Sequence, residues 1–380
     1  IFSGDKVCGV EATDRLSGAS FSIKADLVLN AAGPWAEYLL RDRARFPQWQ
    51  RGPFSRDAYF IVNRRPTSPY ALAVSGLSRD QDAVLGRATR HLCLVPWRDN
   101  TLVGVWHRLF PQHPDTAHIE MNELQEWLDE LNAVNPDLKL TADEVSFSNC
   151  GLVPFGEQAN AQSMQFGKET RFIDHRKTHG VHGLVTLIGI RYTMARADGE
   201  LALEMLLSQW ERRPKSVDTT NIPLAGGAID NIAALRAAAQ SLHPALLPAT
   251  IDSLICNHGT DYSEIMQLYA ADASTRELIP GSNVLAAEIH HAVQREMAVH
   301  LDDVVMRRTD LSGHEHPGSE ALRVAAQHMG GLLQWSSQRI AEELAATQMT
   351  LAKHHAFERP PGRPTRSRNV VGAMLAEVST

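Results

Sequence analysis

Residues 183–207 read GLVTLIGIRYTMARADGELALEMLL, and the stretch changes character at Gly189. The apolar residues just before it, from Leu184 to Ile188, are typical of a strand that is buried on both faces. Beyond the glycine, apolar residues from Met194 to Leu206 recur among Ala, Asp and Glu at a mostly helical spacing. The stretch therefore predicts a buried strand that ends at a glycine and a helix that begins within a few residues of it.

A second junction of this kind lies upstream, in ADLVLNAAGPWAEYLL at residues 25–40. Residues 27–29 are predicted to form a buried strand. Residues 31–33 form a turn of small residues, at which a backbone can approach a ligand closely. Pro34 suits the first position of a helix. Two such strands predict one sheet that binds one ligand at its carboxyl edge.

The chemistry of such a junction limits the kinds of ligand that it can bind. A helix N-terminus offers unbonded N–H groups and about half a positive charge. The junction at Gly189 would therefore suit a phosphate, a carboxylate or the N1–C2=O edge of a reduced flavin. An ordinary strand–turn–helix without a ligand is the alternative, and the second junction weighs against it.

NAAGPW, followed far downstream by GLVTLIGIRYTMAR, resembles the FAD-dependent glycerol-3-phosphate dehydrogenases, which are D-amino-acid-oxidase-like flavoproteins. The family reads approximately T-G-G-K-L-T-T-Y-R where residues 188–196 read IGIRYTMAR. The resemblance covers most of residues 5–345. It implies an FAD cofactor and a fold of α/β plus α class. That fold combines part of a glutathione-reductase-like FAD-binding domain, an inserted antiparallel or mixed substrate sheet, and a C-terminal helical domain.

The resemblance also divides the chain. Residues 1–40 and 170–210 would form a discontinuous FAD-binding domain, residues 41–169 the substrate domain, residues 228–355 the helical domain and residues 356–380 an extended tail. Local patterns predict a hairpin over residues 6–23, a polar loop over 156–170 and an amphipathic helix over 122–134. They also predict strands over 58–62, 70–74, 91–97, 101–106 and 145–153, and C-terminal helices over 251–255, 262–269, 284–305, 320–329 and 335–348.

The chain begins with Ile1 and contains no G-x-G-x-x-G, the turn that opens a dinucleotide-binding fold. If the resemblance holds, the pyrophosphate loop and the acidic ribose-binding residue would lie upstream. We therefore expect a fragment that lacks the N-terminal glycine-rich loop. Whether such a fragment binds FAD is left open.

Composition limits the function classes. The net charge of −7 argues against a nucleic-acid partner. The four scattered cysteines form no CxxC pair, and neither His290–His291 nor the HEH of residues 314–316 has the spacing of a metal site, so no metal is expected. No apolar run is long enough for a membrane span, and no signal peptide opens the chain. We expect a cytoplasmic protein, with a homodimer and a peripheral contact at the inner face of the membrane as open options.

Alcohol oxidation by a flavin requires a base for the hydroxyl proton and cations for an anionic substrate. His107, predicted to follow a strand, is the candidate base. Arg191 stands where the family has a lysine, and it is a candidate for both catalysis and substrate binding. Tyr59 and Arg108 are further candidates for substrate binding. The predicted cofactor-binding residues are Ala32, Gly33, Pro34, Trp35, Gly189, Ile190, Tyr192 and Thr193.

Val153 is the most informative departure from the family, which reads approximately G-V-R-P where this chain reads GLVP. The family arginine helps to bind phosphate, and valine cannot. Unless Arg191, Arg108 or Arg56 compensates, affinity for glycerol 3-phosphate should fall. The resemblance implies hydride transfer from substrate C2 to flavin N5, giving dihydroxyacetone phosphate, with a quinone or oxygen as acceptor. A related oxidase of a hydroxy acid or amine, and a non-catalytic fragment, are the alternatives.

Overall fold

A computed structural model describes residues 1–41, 44–47, 54–66, 68–77, 89–154, 170–210, 215 and 218–354. The predicted loop over 156–170 lies outside these residues except for residue 170, and the predicted tail over 356–380 lies wholly outside them. The strands within them are β1 Phe2–Ser3, β2 Lys6–Val7, β3 Gly9–Thr13, β4 Ser20–Lys24, β5 Val28–Asn30, β6 Phe54–Val62, β7 Leu72–Leu77, β8 Thr89–Trp97, β9 Asn100–Phe110, β10 Val145–Pro154, β11 Arg171–Asp174 and β12 Leu184–Ile188.

Ten α-helices lie in the same described residues. They are α1 Met121–Val134, α2 His175–His179, α3 Ala195–Leu207, α4 Ile232–Leu242, α5 Pro248–His258, α6 Tyr262–Ala271, α7 Ala286–Arg295, α8 Leu301–Asp303, α9 Ser319–Leu333 and α10 Ser337–Leu351. None of the helices in this part of the chain combines the length and the hydropathy that a bilayer span requires.

The two junctions found in the sequence meet in a three-stranded sheet of order β11-β12-β5. β12 runs parallel to β5, and β11 is antiparallel to β12. Residues from both ends of the predicted FAD-binding domain thus share one sheet, while the domain boundaries stay a prediction. β12 is buried as predicted, because α3 and a 3₁₀ helix at Gly33–Leu40 pack against it. β5 is an edge strand, so Leu29 is 38% exposed and the expectation that residues 27–29 are buried is wrong.

The larger sheet is antiparallel, with strand order β10-β6-β9-β8-β7. α1 covers one face and buries Leu124, Trp127, Leu128 and Leu131, as its sequence pattern predicts. Trp106 of β9 stacks between the rings of Phe60 and Trp127, with centroids 5.3 and 4.9 Å away. Its indole N–H donates to Glu130 at 3.0 Å, which satisfies the polar end of the ring in the core.

The C-terminal helices enclose two hydrophobic clusters, one around Ile255 and Ile265 and one around Leu301 and Met329. The single helix predicted over residues 284–305 is not formed. The helix α7 ends at Arg295, and the next helix, α8, begins at Leu301. We call residues 296–300 the break; within it, Met297 has φ of 59° and is 85% exposed. The break is stabilised by a cap on α8, because the Asp303 carboxylate accepts from the backbone N–H groups of Val299 and His300.

Candidate functional site

The turns that follow β5 and β12 lie side by side at one sheet edge. Asn30, the last residue of β5, is paired with Thr186 of the parallel strand β12, so the chain leaves both strands on the same side. The first turn contains Gly33, whose φ of 55° favours glycine. Among the described residues, no heavy atom lies within 4 Å of the position that a Cβ would occupy at Gly33 or at Gly189. The edge is therefore lined by exposed small residues and open space.

A buried polar network holds the two strand ends in register beneath this edge. Asn30, which the sequence analysis did not select, donates to the carbonyl of Ala36 at 2.8 Å and to the Thr186 hydroxyl at 3.3 Å. His175 lies 2.8 Å from the same hydroxyl through Nε2. Asn30 stands directly before the small-residue turn, which is the signal that could have identified it. The network fixes the start of the 3₁₀ helix relative to β12.

His175 is neutral in this network. Burial, reinforced by the neighbouring His179, lowers the pKa of His175 to about 4, although Asp174 acts in the opposite direction. A neutral His175 can accept from the Thr186 hydroxyl, which in turn accepts from Asn30. A protonated ring would donate at both nitrogens, so the Thr186 hydroxyl could no longer donate to His175.

A polar surface lies on the face of the larger sheet that α1 does not cover. His107 Nδ1 and Asp57 Oδ1 are 2.8 Å apart, and the Ser55 hydroxyl donates to the same carboxylate oxygen at 2.7 Å. Alternation along β6 places Tyr59 on this face as well. Val153 pairs with Ser55 across β10 and β6, so the position of the family arginine lies at the same end. We refer to Ser55, Asp57, Tyr59, His107 and Val153 as the polar face.

His107 does not follow a strand as predicted, because β9 continues to Phe110 and the histidine lies within it. Its side chain is half-buried against Asp57. Asp57 was missed because an aspartate inside a strand-like run gives no signal of its cross-strand partner. A carboxylate on one ring nitrogen orients an imidazole and stabilises its protonated form, as a general base requires.

Arg108 does not join Tyr59 and His107. Alternation places it on the opposite face, where it donates to Glu123 and Glu126 of α1 at 2.6 Å each. Arg56 lies on that face too, nearly buried, and it binds Glu123 and the carbonyl of His118. Burial alone would raise the pKa of Glu123, but the hydrogen bond and charge of Arg56, with the charge of Arg108, bring it below the ordinary value. Of the three arginines that could offset Val153, these two are held by carboxylates.

The 3₁₀ helix Gly33–Leu40 connects the turn edge with the larger sheet. Trp35 Nε1 donates to Asp115 at 2.7 Å, and the Tyr38 ring packs on His113 at 4.4 Å. Both partners lie just beyond the end of β9, and β10 also contacts this helix. Because Phe54 and Pro154 are paired with each other at the same end, the polar face begins next to the turns.

The second turn is open to solvent. Arg191, Tyr192 and Thr193 are all exposed, and Tyr192 has no part of its surface covered. In the described part of the chain, Arg191 shows no ion pair, which leaves its guanidinium available to an anion. Ala32 and Trp35 of the first turn are exposed, whereas Pro34 and Ile190 are half-buried. The eight predicted cofactor residues thus line one edge.

Comparison with known proteins points in one direction. A family model described as the C-terminal domain of alpha-glycerophosphate oxidase matches residues 217–340. The Dictyostelium discoideum protein named probable glycerol-3-phosphate dehydrogenase, mitochondrial, is 26% identical over 352 residues, covering 90% of this chain and 52% of its own. The Synechocystis glycerol-3-phosphate dehydrogenase is 24% identical over 315 residues, covering 80% of this chain and 55% of its own. This chain resembles the glycerol-3-phosphate dehydrogenases.

The resemblance extends to the fold. The structure of the Bacillus halodurans glycerol-3-phosphate dehydrogenase, a complex with FAD, matches this chain with a TM-score of 0.74 at 20% identity. The match covers 95% of this chain and 69% of the other. It confirms the predicted class, an α/β part with mixed sheets followed by a helical C-terminal region. The chain spans about half the length of the curated glycerol-3-phosphate dehydrogenases it matches.

Proposed function

We propose that this chain carries the substrate-binding sheet and part of the flavin site of a FAD-dependent oxidoreductase of the glycerol-3-phosphate dehydrogenase type. The observation that carries the proposal is the edge at which the turns after β5 and β12 lie side by side, next to a sheet face that holds His107 and Asp57. The relatives and the fold of the FAD complex from Bacillus halodurans support it.

The residues of the turn edge fit a flavin. Open space over Gly33 and Gly189 accepts a flat ring close to the backbone, as a valine there would not. The backbone N–H groups at the start of the helical segment Tyr192–Met194 and α3 favour negative charge on a bound group. Bound FAD would accept the hydride that leaves C2 of a secondary alcohol. From glycerol 3-phosphate the product would be dihydroxyacetone phosphate.

The polar face supplies the proton chemistry in this proposal. His107 takes the hydroxyl proton of the substrate, and Asp57 stabilises the resulting imidazolium through Nδ1. Ser55 fixes the carboxylate by donating to the oxygen that faces His107. Tyr59 lies on the same face and can donate its hydroxyl to the substrate, while Arg191 binds the anionic end.

Val153 and Tyr59 favour a second candidate, an oxidase of a hydroxy acid or amine in the same flavoprotein group. Three arginines could replace the missing family arginine at Val153. Two of them, Arg56 and Arg108, form ion pairs with Glu123, so among the described contacts only Arg191 is left to bind a phosphate. A single arginine is sufficient for a carboxylate, which carries less charge than a phosphate. The acceptor, quinone or oxygen, and the homodimer and peripheral membrane contact are proposals that rest on the family resemblance.

The test is the visible absorption spectrum of the 380-residue chain before and after addition of FAD and gel filtration. We expect flavin bands to persist. The Gly189→Val variant should bind FAD at least about tenfold more weakly, since the valine fills ligand space without a clash in the protein. Gly331→Val in α9, which also meets open space, is the matched control and should bind as the wild type does.

The substrate is tested on the flavin-loaded chain. Bleaching of the bands by glycerol 3-phosphate supports the dehydrogenase, whereas bleaching only by a 2-hydroxy acid or an amine supports the second candidate. If no flavin band survives gel filtration of the wild type, this chain does not hold the cofactor and the non-catalytic alternative stands.

A further inference from the structure

A cluster of metal-binding side chains lies in the helical region, away from the turn edge and the polar face. His258 is the last residue of α5, His291 belongs to α7, and Glu296 follows the end of α7. Each offers one ligand atom, and these atoms all lie within 4.8 Å of one another. The pair His290–His291 has no metal-site spacing in the sequence, because the partners of His291 come from a distant helix end and from the segment that follows α7.

The cluster is buried and incompletely hydrogen-bonded. The side chains of His258 and His291 are only 6% and 8% exposed. In the described part of the chain, the buried Nδ1 of His291 has no hydrogen-bond partner and lies 4.0 Å from Glu296 Oε1. Among the residues that the structure describes, the other oxygen of Glu296, Oε2, also has no hydrogen-bond partner, and Arg308 Nε is 3.9 Å from it. Buried polar atoms without partners are rare in folded proteins, and a bound ion or water is a usual reason for them.

Each imidazole has a carboxylate near its Nε2 atom, which is the nitrogen that would not bind the metal. His258 Nε2 lies 3.1 Å from Glu288 Oε2, so this nitrogen carries the proton and Nδ1 keeps a lone pair. His291 Nε2 lies 3.7 Å from Glu264 Oε2, and its Nδ1 is the atom near Glu296. A carboxylate on the far nitrogen is the usual way in which a metal-binding histidine is oriented and its basicity raised.

We propose that His258, His291 and Glu296 bind one divalent transition-metal ion, with Zn²⁺ as the best match, through the two imidazole Nδ1 atoms and the Glu296 carboxylate. Two imidazoles and a carboxylate are a ligand set that zinc accepts, with water in the fourth tetrahedral position. Ligand atoms around zinc stand about 3.4 Å apart, so small side-chain rotations close the present spacing. Mg²⁺ and Ca²⁺ prefer oxygen ligands and do not suit this set.

The ion would act as a structural clamp. It would join the end of α5 to the break between α7 and α8, where Met297 adopts a left-handed conformation. The break would then be held from the α5 side by the metal and from the α10 side by Glu343, which accepts from the backbone N–H of Leu301 at 2.9 Å. A structural ion stabilises the fold only when it binds the native state more tightly than the unfolded chain.

The experiment is a titration of the untagged, EDTA-treated 380-residue chain with Zn²⁺ by calorimetry, and with Co²⁺ followed by its visible d–d bands. We expect one ion per chain, unaffected by excess Mg²⁺, and a rise in Tm with Zn²⁺. His291→Gln and Glu296→Gln should each weaken binding at least about 100-fold and abolish the Tm rise, and Glu264→Gln about tenfold.

His290→Gln is the matched control, because His290 sits beside His291 on α7 but faces His328, 3.3 Å away. It should bind Zn²⁺ as the wild type does. The proposal is overturned if the wild type binds neither metal stoichiometrically, or if His290→Gln loses as much affinity as His291→Gln. Glu296→Gln keeps the argument testable if the histidine variant does not fold, since Glu296 is partly exposed and its amide is isosteric.

Discussion

At the scale of single residues, His175 links protonation to stability. Its pKa is about 4 in the folded chain and about 6.5 when unfolded, so the unfolded state takes up the proton first as the pH falls. Its stabilising effect is therefore complete above pH 6.5 and is lost toward pH 4. Lowering the pH from about 7.5 to about 5 should cost on the order of 2 kcal/mol through this group.

Urea unfolding at the two pH values measures this effect. His175→Gln should show a smaller loss between them, whereas His182→Gln, at an exposed histidine seven residues further along the chain, should retain the wild-type difference. Equal pH dependence in all three proteins would show that His175 is not the group responsible.

A second prediction at the residue scale concerns Val153, which we expect to weaken the binding of a phosphorylated substrate. Val153→Arg places a guanidinium on the polar face beside Ser55, where the family has its arginine. A charged hydrogen bond is worth about 1.5–3 kcal/mol, so the Kd for glycerol 3-phosphate should fall about ten- to 100-fold. Val153→Leu is the uncharged control and should leave the Kd unchanged. An arginine variant no better than the leucine variant would remove Val153 as the determinant of substrate.

At the scale of elements, α1 is held to the larger sheet by a carboxylate as well as by its apolar side. Glu123 is 4% exposed and binds both Arg56 and Arg108. Glu123→Gln should lower the free energy of unfolding by about 3–5 kcal/mol, because it leaves Arg56 buried without its counter-charge. Glu126→Gln changes an exposed partner of Arg108 on the same helix and should cost no more than about 1 kcal/mol.

Chemical denaturation of the two variants provides the comparison. Similar costs for Glu123→Gln and Glu126→Gln would mean that the ion pair does not hold the helix and that packing around Trp127 and Leu128 is sufficient. Far-UV circular dichroism should be native-like in both variants before denaturant is added.

At the scale of the whole molecule, the tip of the β8–β9 hairpin joins the larger sheet to the helical region. Arg98 lies 2.5 Å from Asp310 and donates to Asn257 at 2.7 Å, while Trp97 Nε1 donates to the carbonyl of Gly313 at 3.1 Å. Asp310→Ala should cost about 1–2 kcal/mol, since the pair is about three-quarters buried. Asp99→Ala, which removes an exposed pair with Arg65, should change stability by less than about 0.5 kcal/mol.

Differential scanning calorimetry tests this link. We expect Asp310→Ala to lower the Tm of the full chain and Asp99→Ala to leave it almost unchanged. The hairpin would have no role in joining the two parts if the two variants melted at the same temperature as the wild type.

The local sequence determined the elements whose signal is complete within one stretch. Apolar runs predicted β12 and much of the larger sheet, and helical spacing predicted α1 with its four buried apolar residues. The turn signals at Gly33 and Gly189 identified the edge at which β5 and β12 end. These succeed because period, turn chemistry and burial agree within each stretch.

Only the tertiary structure decided which distant residues meet. The sequence could not show that Asp57 would orient His107, that Arg108 would face α1, or that His258 would approach His291, because each depends on strand register or on the packing of separate helices. It also predicted one helix where the chain breaks before α8. That break is held by Asp303 and by Glu343 of another helix, and a capping partner from a distant helix leaves no trace in the periodicity of the segment it stops.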